Sequence, residues 1–124
     1  MLADRDAMAT IAVKSIDVAD RFYQGTLGLP MSPTPESGVR QYRSGGSGVL
    51  VYESRYAGTN QATAATWTVD NVAAVVTALK AKGVKFERYD FPGVTREGDV
   101  HLTGSSKAAW FKDPDGNILA LVGG

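Results

Sequence analysis

Residues 107–122 read Lys107-Ala108-Ala109-Trp110-Phe111-Lys112-Asp113-Pro114-Asp115-Gly116-Asn117-Ile118-Leu119-Ala120-Leu121-Val122. Two short apolar runs, Ala108 to Phe111 and Ile118 to Leu121, flank the polar turn Asp113-Pro114-Asp115-Gly116-Asn117. Proline pre-sets a turn φ, glycine accepts a positive one, and aspartate hydrogen-bonds its own backbone two residues on. The stretch is therefore expected to fold back as a β-hairpin. Asp113 and Asp115 read as turn residues rather than catalytic carboxylates.

Upstream of the hairpin, residues 91–106 hold Pro92, three glycines and the lone histidine, His101, and read as an irregular polar stretch that places His101 in a surface loop. Before it, Lys85 to Tyr89 is a strand candidate. Ala64 to Val69 is another, with Ala65, Trp67 and Val69 on one face. Between these two, Asp70-Asn71 caps a helix whose Val72, Val75, Val76 and Leu79 recur at helical spacing until Gly83. Residues 54–62 are small and polar and read as a linker.

The first half carries the same pattern. Met8 to Lys14 alternates as a strand, with Ala9, Ile11 and Val13 on the face expected beneath a helix. Ser15 and Asp17 offer N-caps, and Val18, Ala19, Phe22, Tyr23 and Leu27 run at helical spacing to Gly28. Strands are expected at Met31 to Thr34, Val39 to Arg43 and Val49 to Glu53. The chain thus reads as one α+β domain over residues 1–124, built from two βαβββ modules at about 7–54 and 63–123. One helix per module covers one sheet face and leaves the other open. Open faces of two curved mixed sheets are expected to line a cleft, the default ligand site.

Composition narrows the function classes. The 124 residues are 44% hydrophobic, enough for one core. Lysine plus arginine number 13, equal to aspartate plus glutamate, with no long run of either sign, so neither a nucleic-acid footprint nor a membrane patch is expected. The absence of cysteine removes disulfides and thiolate chemistry. The charged N-terminus and the lack of a long apolar run suggest a cytoplasmic protein.

Phe22-Tyr23 with Leu27-Gly28-Leu29, Val69-Asp70 with Gly83-Val84, and the ending Asp113-Pro114-Asp115-Gly116-Asn117 follow one another on a duplicated βαβββ pattern. Together they resemble the vicinal oxygen chelate superfamily of glyoxalases, extradiol dioxygenases, fosfomycin-resistance enzymes and bleomycin-resistance proteins. The resemblance implies a divalent metal held by histidine or glutamine near the start of the first strand, histidine near the start of the fifth, and glutamate on the last. Counting from the shared landmarks, these positions read Met8, Ala64 and Ala120. Two methyls and a thioether do not bind a hard divalent ion. No metal, no cofactor and no catalytic residue are therefore expected.

Side-chain alternation supplies a candidate lining: Met8 and Thr10 on the first strand, and Ala64, Thr66 and Thr68 on the fifth. Aligning the two closing hairpins on Gly48 and Gly116 makes Tyr42 answer Trp110 and Tyr52 answer Ala120. Arg40, Leu50 and Ile118 join them by parity, and His101 joins if its loop folds inward. Large aromatics elsewhere, Trp67 and Phe111, read as core.

The expected partner is a small molecule, aromatic or planar, sequestered as the bleomycin-resistance type does, with two chains pairing as a homodimer as the resemblance implies. Members of that type are acidic to suit a cationic drug, and this neutral chain is not. The alternative is a glyoxalase- or dioxygenase-like lyase or isomerase with a non-standard site, using His101 with Glu53 or Glu97. A third is a structural member acting through its dimer surface.

Overall fold

The computed structural model describes residues 1–33 and 36–124. Strand β1 (Ala9–Val13) leads into helix α1 (Ile16–Ala19), which continues as a π-helical stretch, Asp20–Thr26. Three strands follow: β2 (Met31–Ser32), β3 (Val39–Ser44) and β4 (Ser47–Glu53). The second half holds β5 (Thr63–Val69), α2 (Val72–Ala81), β6 (Phe86–Glu87), β7 (Thr95–Glu97), β8 (Val100–Thr103), β9 (Ser106–Lys112) and β10 (Ile118–Gly123). Ser15 caps the first helix through Val18 N–H, and Asn71 caps α2 through Ala74 N–H. The expected strand from Met31 covers only Met31–Ser32, and Thr34 lies outside the described residues. Likewise the strand expected over Lys85 to Tyr89 shrinks to Phe86–Glu87.

Both sheets share one strand order. The first runs β1-β4-β3-β2 and the second β5-β10-β9-β8-β7, with β6 also paired to β9. In each, the opening strand lies parallel to the closing one and the remaining ladders are antiparallel. The opening and closing strands thus repeat between the halves, while the second half carries five strands after its helix where the βαβββ pattern expects three.

The helix-covered faces of the two sheets meet in a common core. Ile11, Val13, Tyr23, Tyr42, Val49 and Val51 of the first half pack in one cluster with Ala65, Val72, Phe111, Leu119 and Leu121 of the second. Phe22 lies 6.4 Å from Phe111 between ring centroids, and Trp67 stacks on Phe111 at 6.5 Å. Phe111, 1% exposed, contributes roughly 1.5–3 kcal/mol by its burial, and the half-buried Phe22 and Trp67 less. β1 also lies against β5, joining the sheets along their edges.

The Asp113–Asn117 turn locks the halves together. Asp113 Oδ1 accepts the amides of Asp115 and Asn117, while its Oδ2 accepts the Tyr23 hydroxyl at 2.7 Å and the Asn117 side-chain amide at 2.8 Å. Asn117 also donates to the Ala12 carbonyl, and Asp115 accepts the Lys14 amide. These contacts tie the turn to the helix and first strand of the other module. Burial, then the Asp113 carboxylate, raises the Tyr23 hydroxyl pKa far above the ordinary tyrosine value, so it stays a donor.

With the helix faces turned inward, the uncovered faces look outward. Thr10, Thr66 and Thr68 are exposed there, as are Met8 and Tyr52 at 40% each. Among the described residues no helix is long and apolar enough to cross a membrane.

Candidate functional site

Register decides which side chains reach the open faces. On the first sheet Thr10 pairs with Leu50, Ala12 with Tyr52 and Gln41 with Leu50, so these residues share the outer side. Met8 lies over Gly48, where a Cβ would come within 3.0 Å of its sulfur. Met8, Thr10, Leu50 and Tyr52 therefore stand on one open surface.

Arg40 and Tyr42 do not join them. Tyr42 is fully buried on the helix side, stacked on Tyr23 at 5.6 Å, and donates to Asp20 at 2.7 Å. Arg40 holds the same Asp20 carboxylate with both Nε and Nη2 at 3.1 Å. The expected equivalence of Gly48 and Gly116 causes this error. The first hairpin closes on a two-residue turn, Ser44 pairing with Ser47, whereas the second ladder ends at Lys112 and Ile118 with five residues between them. Matching pairing partners instead of glycines makes Gln41 answer Trp110 and Leu50 answer Ala120. A one-residue shift turns a strand residue to the other face.

On the second sheet Ala120 pairs with Thr66 and Trp110, and Val122 pairs with Thr68 and Ala108. Trp110, Ile118, Ala120, Thr66 and Thr68 accordingly share the outer face. A bulge between Ile118 and Leu119 leaves Ala64 without a register partner and pairs Thr63 with Ile118. Thr63 thereby reaches the open face, where its hydroxyl accepts Trp110 Nε1–H at 3.3 Å. Strict alternation gives no sign of that residue.

His101 is not in a surface loop. Residues 95–103 form the hairpin β7–β8, turned at Gly98-Asp99, and β8 continues the sheet by pairing His101 with Ala108. His101 is 2% exposed on the same face as Trp110. Its ring meets Trp110 edge to face at 4.9 Å, and Tyr89 and Phe91 lie at 6.0 and 6.2 Å. The segment bearing Tyr89 and Phe91 thus folds over the outer face. Its base is held by Asp99, which accepts Lys80 at 2.7 Å and Arg88 at 2.9 Å and is kept by them below the usual carboxylate pKa.

Two hollows flank this aromatic group. The larger, about 710 Å³, is lined by Tyr89, Phe91, Trp110, Thr63, Ile118 and Lys112 together with Gly58, Gly116 and residues 60–62. The smaller, about 360 Å³, lies between Phe91, Trp110, His101, Thr103, Lys107 and Val122. A planar ligand laid against Trp110 would find ring edges, a threonine hydroxyl and a lysine around it.

The metal expected from the resemblance does not fit these residues. Ala120 is a buried methyl, Ala64 a half-buried one, and Met8 sits on the other sheet. Thr63, the residue the bulge brings forward, offers a neutral hydroxyl. Among the described residues no group of three or more histidines, aspartates or glutamates is able to hold a metal ion.

Comparison with known proteins agrees with this architecture. Residues 7–121 match the Glyoxalase/Bleomycin resistance protein/Dioxygenase superfamily. Among solved structures, the genomically encoded fosfomycin resistance protein FosX of Listeria monocytogenes superposes with a TM-score of 0.71 at 15% identity, over 97% of this chain and 93% of that one. Lactoylglutathione lyase of Agrobacterium tumefaciens gives 0.69 at 18% identity, over 96% and 93%. A glyoxalase family protein of Enterococcus faecalis gives 0.71 at 17%, over 98% and 99%. At such identities the likeness is one of fold. The Listeria FosX has also been solved as a complex with Mn(II) and sulfate. No curated protein sequence matches the chain.

Proposed function

The chain belongs to the glyoxalase/bleomycin resistance protein/dioxygenase superfamily, and within it we propose a metal-free protein that binds and sequesters a small aromatic or planar molecule. The observation that carries this reading is the exchange of side chains on one face. Where the family's glutamate is expected stands Ala120, and its ladder neighbour is Trp110, backed by Tyr89 and Phe91. Metal-binding chemistry has been replaced there by stacking surface. Met8, Thr10, Leu50 and Tyr52 on the other open sheet complete the cleft when a second copy of the chain docks, which makes the working unit a homodimer.

The enzymatic reading lacks a partner for His101. Glu97 pairs with Val100 on the opposite side of the β7–β8 ladder, and Glu53 lies on the first sheet, where it accepts the Ile16 amide. General acid–base catalysis needs groups within hydrogen-bond reach of one substrate.

Titration with planar aromatic compounds, read by tryptophan emission, tests the proposal. Quenching in the native protein and its loss in Trp110→Phe, where only Trp67 emits, are expected. Stoichiometric zinc, manganese or iron in the purified protein would overturn it.

A further inference from the structure

His101 carries a feature that the stacking surface alone leaves unexplained. Its Nε2 accepts the Tyr89 amide hydrogen at 2.9 Å. A nitrogen that accepts bears no proton, so in the neutral ring the proton sits on Nδ1. Nδ1 is buried and has no hydrogen-bond partner among the described residues. A buried donor without an acceptor is costly to keep and calls for an acceptor.

The ring borders the 360 Å³ hollow, which Tyr89 does not border. The cation Lys107 lines the hollow, and Arg96, ion-paired with the exposed Asp90, stands opposite His101 across the β7–β8 ladder. Among the described residues no carboxylate lines this space.

We propose that the hollow beside His101 is a carboxylate subsite, and that the sequestered molecule is an aromatic acid whose carboxylate accepts the His101 Nδ1–H while its ring lies against Trp110. Phe91, 45% exposed, stands at the rim of the hollow, and admitting the acid to the buried Nδ1 would require its ring to turn outward. The inference rests on the proposed binding function and adds the charge and orientation of the ligand. The Tyr89 amide fixes the tautomer, so the site presents a donor and discriminates against ligands that present another donor.

The test uses the intact protein with benzoate, 4-hydroxybenzoate and indole-3-carboxylate, each beside its primary amide. Binding is read by Trp110 emission, and the ring by nitrogen NMR of His101. Nδ1-protonated free protein, a shift of Nδ1 on adding acid, and binding of acids about ten- to a hundredfold tighter than amides are expected, the range of one hydrogen bond to a charged group. His101→Phe should lose that preference. His101→Asn, whose amide nitrogen keeps a donor near the Nδ1 position, should retain part of it, with thermal melts checking that both variants fold. A proton on Nε2, equal binding of acids and amides, or an unchanged preference in His101→Phe would overturn the subsite. Amides that still quench Trp110 in that variant would leave the stacking function standing, whereas silence from every planar compound would remove both.

Discussion

Tyr23 shows how one hydroxyl joins two half-proteins. It sits on the first helix, fully buried, and its hydroxyl donates a hydrogen bond to Asp113 in the last hairpin. Tyr23→Phe leaves Asp113 Oδ2 with the Asn117 side chain as its remaining donor, a loss expected to cost about 1–2 kcal/mol in denaturant unfolding. The pH dependence has a definite sign. Because the folded pKa is raised, the contribution is whole below the unfolded tyrosine value of about 10 and is lost as pH climbs past it. The native protein should therefore lose stability above that pH more steeply than Tyr23→Phe, and parallel curves would show that the hydroxyl does not matter. From the sequence Tyr23 was legible only as an apolar-face residue, since its partner lies 90 positions away. His101 departs from the loop expected of it for a related reason: glycine, threonine and serine around it resemble a loop, yet two tight turns let β7 and β8 extend the sheet and bury it.

At the level of elements, the closing hairpin acts through its turn as much as through its strands. Gly58, in the segment between the modules, has φ +73°, and a Cβ there would overlap the Asp115 carbonyl oxygen. Gly58→Ala is expected to destabilise the protein by about 2–4 kcal/mol, through positive φ and backbone overlap together. Gly46→Ala, in a turn where an added Cβ meets nothing within 4 Å, should change stability little. Equal effects of the two in thermal melts would mean that the inter-module segment does not seat on the turn. Strand and helix order were readable because periodicity and caps are local properties. Facing was less so, because it depends on ladder register. A turn three residues shorter in the first hairpin moved Arg40 and Tyr42 to the core side, and a bulge brought Thr63 outward. Neither leaves a mark in hydrophobic alternation.

For the whole molecule, the direction in which the two sheets face sets the expected assembly. Their helix-covered sides share one core, so the open sides point outward with Met8, Tyr52, Leu50, Ile118 and Trp110 on them. Met8 and Tyr52 are each 40% exposed on that surface, and a two-fold pairing would set the first sheet of one copy against the second sheet of the other. Each pairing would enclose a cleft with Trp110 on one wall and Leu50 and Tyr52 on the opposite one. Leu50→Glu places a charge at the middle of that wall without touching the core, because Leu50 pairs outward with Thr10 and Gln41. The expected result is a monomer by light scattering whose thermal melt stays near that of the native protein. Its affinity for planar aromatic compounds should fall about tenfold or more, as one wall of the site is lost. A native chain that is already monomeric at high concentration, yet binds those compounds as tightly as Leu50→Glu does, would show that one open face suffices and that the dimer is not part of the site.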